Sequence, residues 1–321
     1  MEGIYTGFKI PTKEEFDSLW SNEKTVFVID ANALLSLFKI RTAQQALFLH
    51  ILSDETLKGR LWIPHEVGYL YMEKRNSKII DEINNVTSAM KDFQNFIDKA
   101  RQPGMYPYID RHFLRRIAEV KNDLGKALKR QKEDLRISIK GSRLKTKIDQ
   151  LFPDEKVGNS YELAKMEELY RRGEERYSKK RPPGYLSSYG EDNRLRFHDY
   201  IVWKQMQEFA GSNDRDVIMV RGMATRDWFA MDGDNVISPN PSIVYEFHNK
   251  TLEDYQKGHT FYCLSILQFI NECVERQIIQ EPGNNFRKNL VYQGNRSISQ
   301  SGNLYKSNKI DSNTIEVTNN G

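Results

Sequence analysis

The stretch TVFVID at residues 25–30 decides the fold. Its first five residues are β-branched or aromatic, which is typical of a short strand buried on both faces. A segment with helical spacing follows at residues 32–50, and further apolar runs follow at residues 61–64 (LWIP) and 217–220 (VIMV). Short buried strands that alternate with helices predict an α/β fold with a parallel central sheet.

Several helices are indicated by their own signals. Thr12, with Glu15 three residues later, predicts a capping box at the start of a first helix. Helical spacing of apolar residues predicts further helices at residues 199–209, near residues 242–250, and from Leu264 to about Ile278.

The α/β pattern is interrupted by a long, charged segment at residues 85–180. Its composition predicts a helical insertion, with a helical hairpin as one form, between two parts of one α/β domain at residues 1–84 and 181–280. Residues 281–321 are rich in Asn, Ser and Gln and contain few core residues, which predicts a flexible tail.

Charge is divided unevenly along the 321 residues, although the net charge is only +4. Residues 99–180 contain 22 Lys and Arg against 13 Asp and Glu, a net charge of +9, and the rest of the chain carries −5. The sequence therefore predicts an acidic body with a basic insertion. Such an insertion suits a nucleic-acid backbone, and a solvated helix pair that only braces the core is an equal alternative.

Composition excludes several classes of protein. With 19 Gly, 10 Pro and 2 Cys, the chain is neither collagen-like nor a disulfide scaffold. The N-terminus shows no secretory signal, and no apolar run approaches the roughly 18 residues of a spanning helix. We expect a soluble cytoplasmic protein without a membrane partner, in which Cys263 and Cys273 are buried hydrophobic residues.

Three carboxylates lie where the sheet is expected to end. Asp30 follows the first strand, Asp199 opens a helix, and Asp227 follows the strand at residues 217–220. Each could be a helix cap, but the carboxyl ends of parallel strands meet at one edge, which favours a shared site. Clustered carboxylates with few His and Cys suit Mg²⁺ or Mn²⁺ better than zinc.

Six stretches together carry a resemblance to a known family. They are FDSLWSNEKTVFVIDANALLSLFKI, LWIPHEVGYLYMEKR, RPPGYLSSYGEDN, HDYIVWKQ, DVIMV and RDWF. From about Phe16 to Ile278 the chain resembles the bacterial PIN-like domains in motif order, spacing and the insertion before PPGY. The resemblance implies a three-layer α/β/α sandwich with a parallel central sheet. It also implies a metal-dependent nuclease, mostly acting on single-stranded RNA, with acidic residues around Mg²⁺ or Mn²⁺.

The match to the acidic positions of that family is incomplete. Asp30 and Asp199 match two of them, whereas the positions of two others are occupied by Leu70 and by the segment Arg221-Gly-Met223. Neighbouring carboxylates offer two interpretations, a site that has migrated and a site that has degraded. In a migrated site, Asp227 and either Glu66 or Glu73 take over the missing roles.

The resemblance and the charge pattern together predict a metal-dependent endoribonuclease. Catalytic roles fall to Asp30, Asp199, Glu66 and Asp227, with Asp30, Asp199 and Asp227 as ligands of Mg²⁺ or Mn²⁺ and a metal-activated water as nucleophile. The expected substrate is RNA rather than DNA, and the residues predicted to bind it are Asn32, Lys129, Arg130, Arg136, Arg143 and Lys145. The alternatives are a degenerate domain that binds nucleic acid without hydrolysis, and a subunit that docks a protein partner through the insertion.

Overall fold

The computed structural model of the chain describes most of the α/β domain and the insertion. The described residues are 8–9, 11–40, 42–102, 110–186 and 192–280. The predicted tail at residues 281–321 lies outside them.

The elements follow one another in this order: α1 (Lys13–Ser21), β1 (Thr25–Ile29), α2 (Ala31–Ser36), α3 (Thr42–Leu52), α4 (Glu55–Lys58), α5 (His65–Ala100), α6 (Arg111–Lys140), α7 (Arg143–Leu151), α8 (Leu163–Ser178), α9 (Asn193–Arg196), α10 (His198–Asn213), β2 (Asp216–Arg221), β3 (Phe229–Asp232), β4 (Asn235–Pro239), α11 (Pro241–Tyr255), β5 (Phe261–Ser265) and α12 (Ile266–Glu275).

The central sheet is parallel, with strand order β1-β2-β5. Ile29 lies beside Val220, and Arg221 lies beside Ser265, so all three strands end at the same edge. Single parallel bridges from Phe27 to Leu61 and from Ile63 to Val157 continue the pairing on the other side of β1. The predicted parallel α/β fold is confirmed.

Helices cover both faces of this sheet. On one face Phe27 contacts Trp20 of α1 and Phe269 of α12. On the other face Phe261 contacts Trp203 of α10 and Phe247 of α11. Neighbouring strand residues point to opposite faces, so the apolar residues of β1 and β2 are buried between two helical layers.

The segment predicted to be an insertion contains α6 and the second part of α5, two long helices that pack against each other. At a rise of about 1.5 Å per residue they are about 54 Å and about 45 Å long. Helix α5 begins in the α/β body and runs without a break through the predicted boundary at residues 84–85. Beyond Ile79 only Ile97 and Ala100 of α5 are buried, so most of this length is solvated.

The capping box between Thr12 and Glu15 and the burial of both cysteines are confirmed. Three other details differ from the sequence prediction. The segment 32–50 is not one helix, because α2 passes into a short 3-10 turn before α3 begins. The helix predicted from Leu264 begins only at Ile266, because residues 261–265 form the third strand of the sheet. The hairpin of β3 and β4 had no counterpart in the prediction. Among the described residues no helix is both long and apolar enough to cross a membrane.

Candidate functional site

The ends of β1 and β2 bring two of the predicted carboxylates close to one arginine. Asp30 directly follows β1, and its backbone N–H donates to the carbonyl of Val220 on β2 at 3.0 Å. Arg221 is the last residue of β2, and Asp199 lies in the first turn of α10. Asp30, Asp199 and Arg221 are 0%, 5% and 2% exposed, so this group of charges is closed to solvent.

The guanidinium of Arg221 joins the two carboxylates. Its Nη1 and Nη2 donate to Oδ1 and Oδ2 of Asp199, both at 3.1 Å, and Nη1 lies 3.7 Å from Oδ2 of Asp30. The ring of Trp228 lies 4.4 Å from the guanidinium carbon, and its Nε1 donates to Asp199 Oδ2 at 3.0 Å. A two-pronged pair of this kind fixes both partners in orientation.

Burial and charge act against each other in this pair. Burial is the largest single effect and raises the pKa of Asp199, but the charges of Arg221 and His198 and the hydrogen bonds from Arg221 and Trp228 together outweigh it, so this pKa lies below its ordinary value. Burial likewise opposes the charge of Arg221, yet Asp199 and Asp30 raise the pKa of the guanidinium above its usual range. Both partners are therefore charged at neutral pH. The neighbouring His198 is fully buried, and that burial lowers its pKa.

Neither Asp30 nor Asp199 serves as a helix cap. Asp30 occupies the N-cap position of α2, but its side chain makes no capping hydrogen bond. Its Oδ2 accepts from the backbone N–H of Gly222 at 3.3 Å, while its Oδ1 has no hydrogen-bond partner among the described residues. The N-cap position of α10 is Phe197 rather than Asp199.

Asp227 has a separate set of partners. Its side chain is fully buried, and Oδ2 accepts from the backbone N–H groups of Gly184 and Leu186 at 2.8 and 3.2 Å. This carboxylate thereby ties the segment after the insertion to the loop that follows β2. The contacts of Oδ2 are those of a structural residue, whereas Oδ1 is buried without a hydrogen-bond partner among the described residues.

Glu66 is also paired with an arginine. Nε and Nη2 of Arg194 donate to its two carboxylate oxygens at 2.8 and 2.6 Å, and His65 Nδ1 lies 3.1 Å from Oε1. Burial is the largest single effect and raises the pKa of Glu66, but the hydrogen bonds from Arg194 and His65 and the charge of Arg194 together outweigh it, so the net shift of this pKa is downward. Leu70 belongs to the core, and Glu73, the alternative to Glu66, is exposed and pairs with Lys74.

The residues present do not fit a divalent ion. Among the described residues no group of three or more His, Cys, Asp or Glu side chains could hold one. An ion that reached both Asp30 and Asp199 would lie close to Arg221. At about 4 Å and an effective dielectric constant of about 20, Coulomb's law gives a repulsion of about 8 kcal/mol between a divalent ion and the guanidinium. The Oδ1 atoms of Asp30 and Asp227 are buried without a hydrogen-bond partner among the described residues, but two oxygens fall short of the near-octahedral set of oxygen ligands that Mg²⁺ requires.

The residues predicted to bind RNA lie in two regions. Asn32 lies beside Gly222, where an added Cβ would come within 2.4 Å of the carbonyl carbon of Asn32. The cations lie on the insertion, where Lys145 pairs with Asp149 and Arg136 lies 3.6 Å from Glu133. The remaining three, Lys129, Arg130 and Arg143, are exposed and make no ion pair with a described residue.

Arg221 is the functional feature whose role the sequence prediction missed. The signal was present, because a charged residue that ends a fully apolar strand needs a buried partner. Its partners, Asp199 and Asp30, are distant in sequence, so the pairing could not be predicted from a local pattern. The same holds for Arg194, whose partner Glu66 precedes it by 128 residues.

Comparison with known proteins places the chain in a family. The family model described as "PIN like domain" matches residues 26–243, which is more than half of the chain and includes the insertion. Neither the curated proteins nor the solved structures gave a match. Membership suggests nuclease-type function and nucleic-acid binding at the level of the family, whose members generally depend on a divalent metal. With the parallel sheet and the sheet-end carboxylates described above, the match shows that this chain belongs to the PIN-like domain family.

Proposed function

We propose that this chain binds the backbone of RNA, preferentially single-stranded, through its basic insertion and does not hydrolyse it at the carboxylate site. The observation that carries the proposal is a row of exposed cations on one side of α6, which we name the cationic face. Its members are Arg115, Lys126, Lys129, Arg136 and Lys140.

The spacing of these residues supports a common face. Lys129, Arg136 and Lys140 recur at intervals of seven and four residues, which places them within about 40° of one another around the helix. From Arg115 to Lys140 the row covers about 38 Å at the rise of an α-helix. Lys126 pairs with Asp123 and Arg136 pairs with Glu133, both at 3.6 Å, and exposed pairs of this kind contribute little free energy, so a phosphate can displace the carboxylate.

A phosphate backbone suits such a surface. Flexible lysines and arginines neutralise phosphates without reading sequence, and binding releases counterions from the nucleic acid. Each phosphate contacted on a single strand contributes about −0.7 to the slope of log K against log salt. Five contacts along the cationic face therefore give a slope of about −3.5.

Fluorescence anisotropy with a labelled single-stranded RNA tests this proposal. The variant carries Lys129→Gln, Arg136→Gln and Lys140→Gln, and we expect its salt slope to fall by about 2 in magnitude, with a matching loss of affinity. A matched control removes three exposed cations from α8 and its C-cap position, by Arg171→Gln, Arg172→Gln and Lys179→Gln. No RNA binding by the wild-type chain, or an equal loss in the control, contradicts the proposal.

The absence of hydrolysis is tested in the same samples. With Mg²⁺ or Mn²⁺ present, we expect bound RNA to stay intact because Arg221 holds Asp30 and Asp199 in one ion pair. Gel electrophoresis after incubation measures this directly. Capture of a protein in place of RNA would support the alternative of a protein-docking insertion.

A metal-dependent endoribonuclease is the second candidate function. One observation favours it, namely that the Oδ1 atoms of Asp30 and Asp227 are buried and have no partner among the described residues. It requires Arg221 to leave the two carboxylates, with Asp227 and Glu66 released from their present partners. Cleavage of RNA that depends on Mn²⁺ and is lost in Asp30→Asn would establish this candidate and overturn the first.

A further inference from the structure

Arg221 lies between two buried carboxylates that need a nearby positive charge. Two carboxylates that are at most 5% exposed face the same guanidinium, and the carboxylate of Asp199 accepts hydrogen bonds from it and from the indole N–H of Trp228. Burial of two such carboxylates is costly unless a cation lies between them.

Further contacts describe how the guanidinium is held. Oδ1 of Asp30 and Nε of Arg221 are both buried without a hydrogen-bond partner among the described residues, so the guanidinium satisfies the charge of the site but not every polar atom in it. Trp228 lies under the guanidinium carbon at 4.4 Å. The backbone of Gly222 reaches Asp30 from the other side at 3.3 Å.

We propose that Arg221 is the resident cation of this site: its guanidinium takes the place of a divalent ion between Asp30 and Asp199, and the site binds such an ion only when the guanidinium is removed. The inference rests on the absence of hydrolysis in the proposed function, but it concerns metal binding and is independent of RNA binding.

In the wild-type chain we expect no tight binding of a divalent ion at this site. Because the guanidinium supplies the charge, neither Mn²⁺ nor a chelator should change the melting temperature, and Mn²⁺ should show no tight binding by electron paramagnetic resonance. A tight Mn²⁺ site in the wild-type chain that Asp30→Asn abolishes would overturn the proposal, whatever the fate of any other variant.

The variant Arg221→Ala tests the other half. It leaves two buried carboxylates and the space of a guanidinium, and we expect a lower melting temperature without metal. At Mn²⁺ about 100-fold above its dissociation constant, we expect the melting temperature to recover by about 5 °C. Adding Asp30→Asn to this variant should remove the recovery.

Two further variants guard against a chain that fails to fold. Arg221→Lys keeps a positive charge and should bind no Mn²⁺, with a smaller loss of stability. Arg194→Met removes a guanidinium from a single buried carboxylate, Glu66, and should also gain no metal binding. If Arg221→Ala folds and Mn²⁺ neither binds nor stabilises it, the carboxylates are neutralised by protons instead, and the proposal is wrong. Loss of RNA binding in the wild-type chain would leave this result untouched and refute only the proposed function.

Discussion

The contacts of Asp227 predict that this residue stabilises the fold and takes no part in chemistry. The Asp227 side chain is fully buried, and its Oδ2 accepts two backbone hydrogen bonds, from the buried Gly184 and from Leu186, which is half exposed. Hydrogen bonds to a charged group contribute about 1.5–3 kcal/mol each. After allowance for the cost of burying the carboxylate, we expect Asp227→Ala to lower the free energy of unfolding by about 3 kcal/mol.

A matched series separates the contributions. Asp227→Asn keeps an acceptor oxygen at the same place, and we expect it to cost about 1 kcal/mol. Asp234→Ala removes an exposed carboxylate from the nearby turn between β3 and β4, and it should stay within about 0.5 kcal/mol of the wild type.

Urea denaturation followed by circular dichroism measures these differences. Amide hydrogen exchange adds a local readout, because the N–H groups of Gly184 and Leu186 should lose protection in Asp227→Ala. RNA affinity of the folded variant should equal that of the wild type. The structural role would be refuted if the unfolding free energy of Asp227→Ala lay within 1 kcal/mol of the wild-type value while RNA binding or cleavage was lost. That outcome would assign Asp227 to the site.

Three other predictions concern neighbouring residues. Burial lowers the pKa of His198 in the folded chain. When the pH falls below the unfolded pKa of about 6.5, the unfolded state therefore takes up a proton that the folded state does not, and the unfolding free energy falls by up to about 1.4 kcal/mol for each pH unit. His198→Gln should remove this part of the pH dependence. The measurement is the difference between the urea midpoints at pH 7.5 and 5.5, and a difference equal to that of the wild type would contradict the prediction. A Cβ on Gly222 would lie 2.3 Å from the backbone nitrogen of Ala33, so Gly222→Ala should lower the unfolding free energy by about 1–3 kcal/mol. A melting temperature of Gly222→Ala equal to that of the wild type would contradict this close packing. Glu66→Gln leaves the charge of Arg194 unpaired and should cost about 2 kcal/mol in urea without changing RNA affinity, whereas a loss of affinity alone would give Glu66 a role in the site.

Local sequence signals were sufficient wherever a pattern has one structural solution. The run at residues 25–29 is too short and too apolar for anything but a buried strand, and Thr12 with Glu15 specifies a helix start through its own hydrogen bonds. The run at residues 261–265 has the same character, yet it adjoins an amphipathic helix without a turn between them. Periodicity cannot divide a strand from a helix at such a junction, because the apolar residues are continuous.

The positions of the candidate site were predictable, but its pairing was not. The sequence placed Asp30 and Asp199 at the edge of the sheet, since parallel strands end together. Which cation meets them depends on packing between residues that lie 22 and 191 positions from Arg221. No pattern within a single element carries that information.

Leu70 and Arg221 stand where the family resemblance predicts acidic residues, and their contacts suggest one explanation for both. Leu70 adds apolar area to the core, and Arg221 supplies the charge that keeps Asp199 and Asp30 compensated inside it. Loss of two carboxylates alone would leave a weakened metal site with two buried negative charges. Under the proposal above, loss of two carboxylates together with the gain of a buried guanidinium gives a site that needs no metal for its stability, because an arginine keeps its positive charge throughout the ordinary pH range. The proposed function then divides the roles: we expect the two aspartates to serve the structure and the cations of α6 to bind RNA.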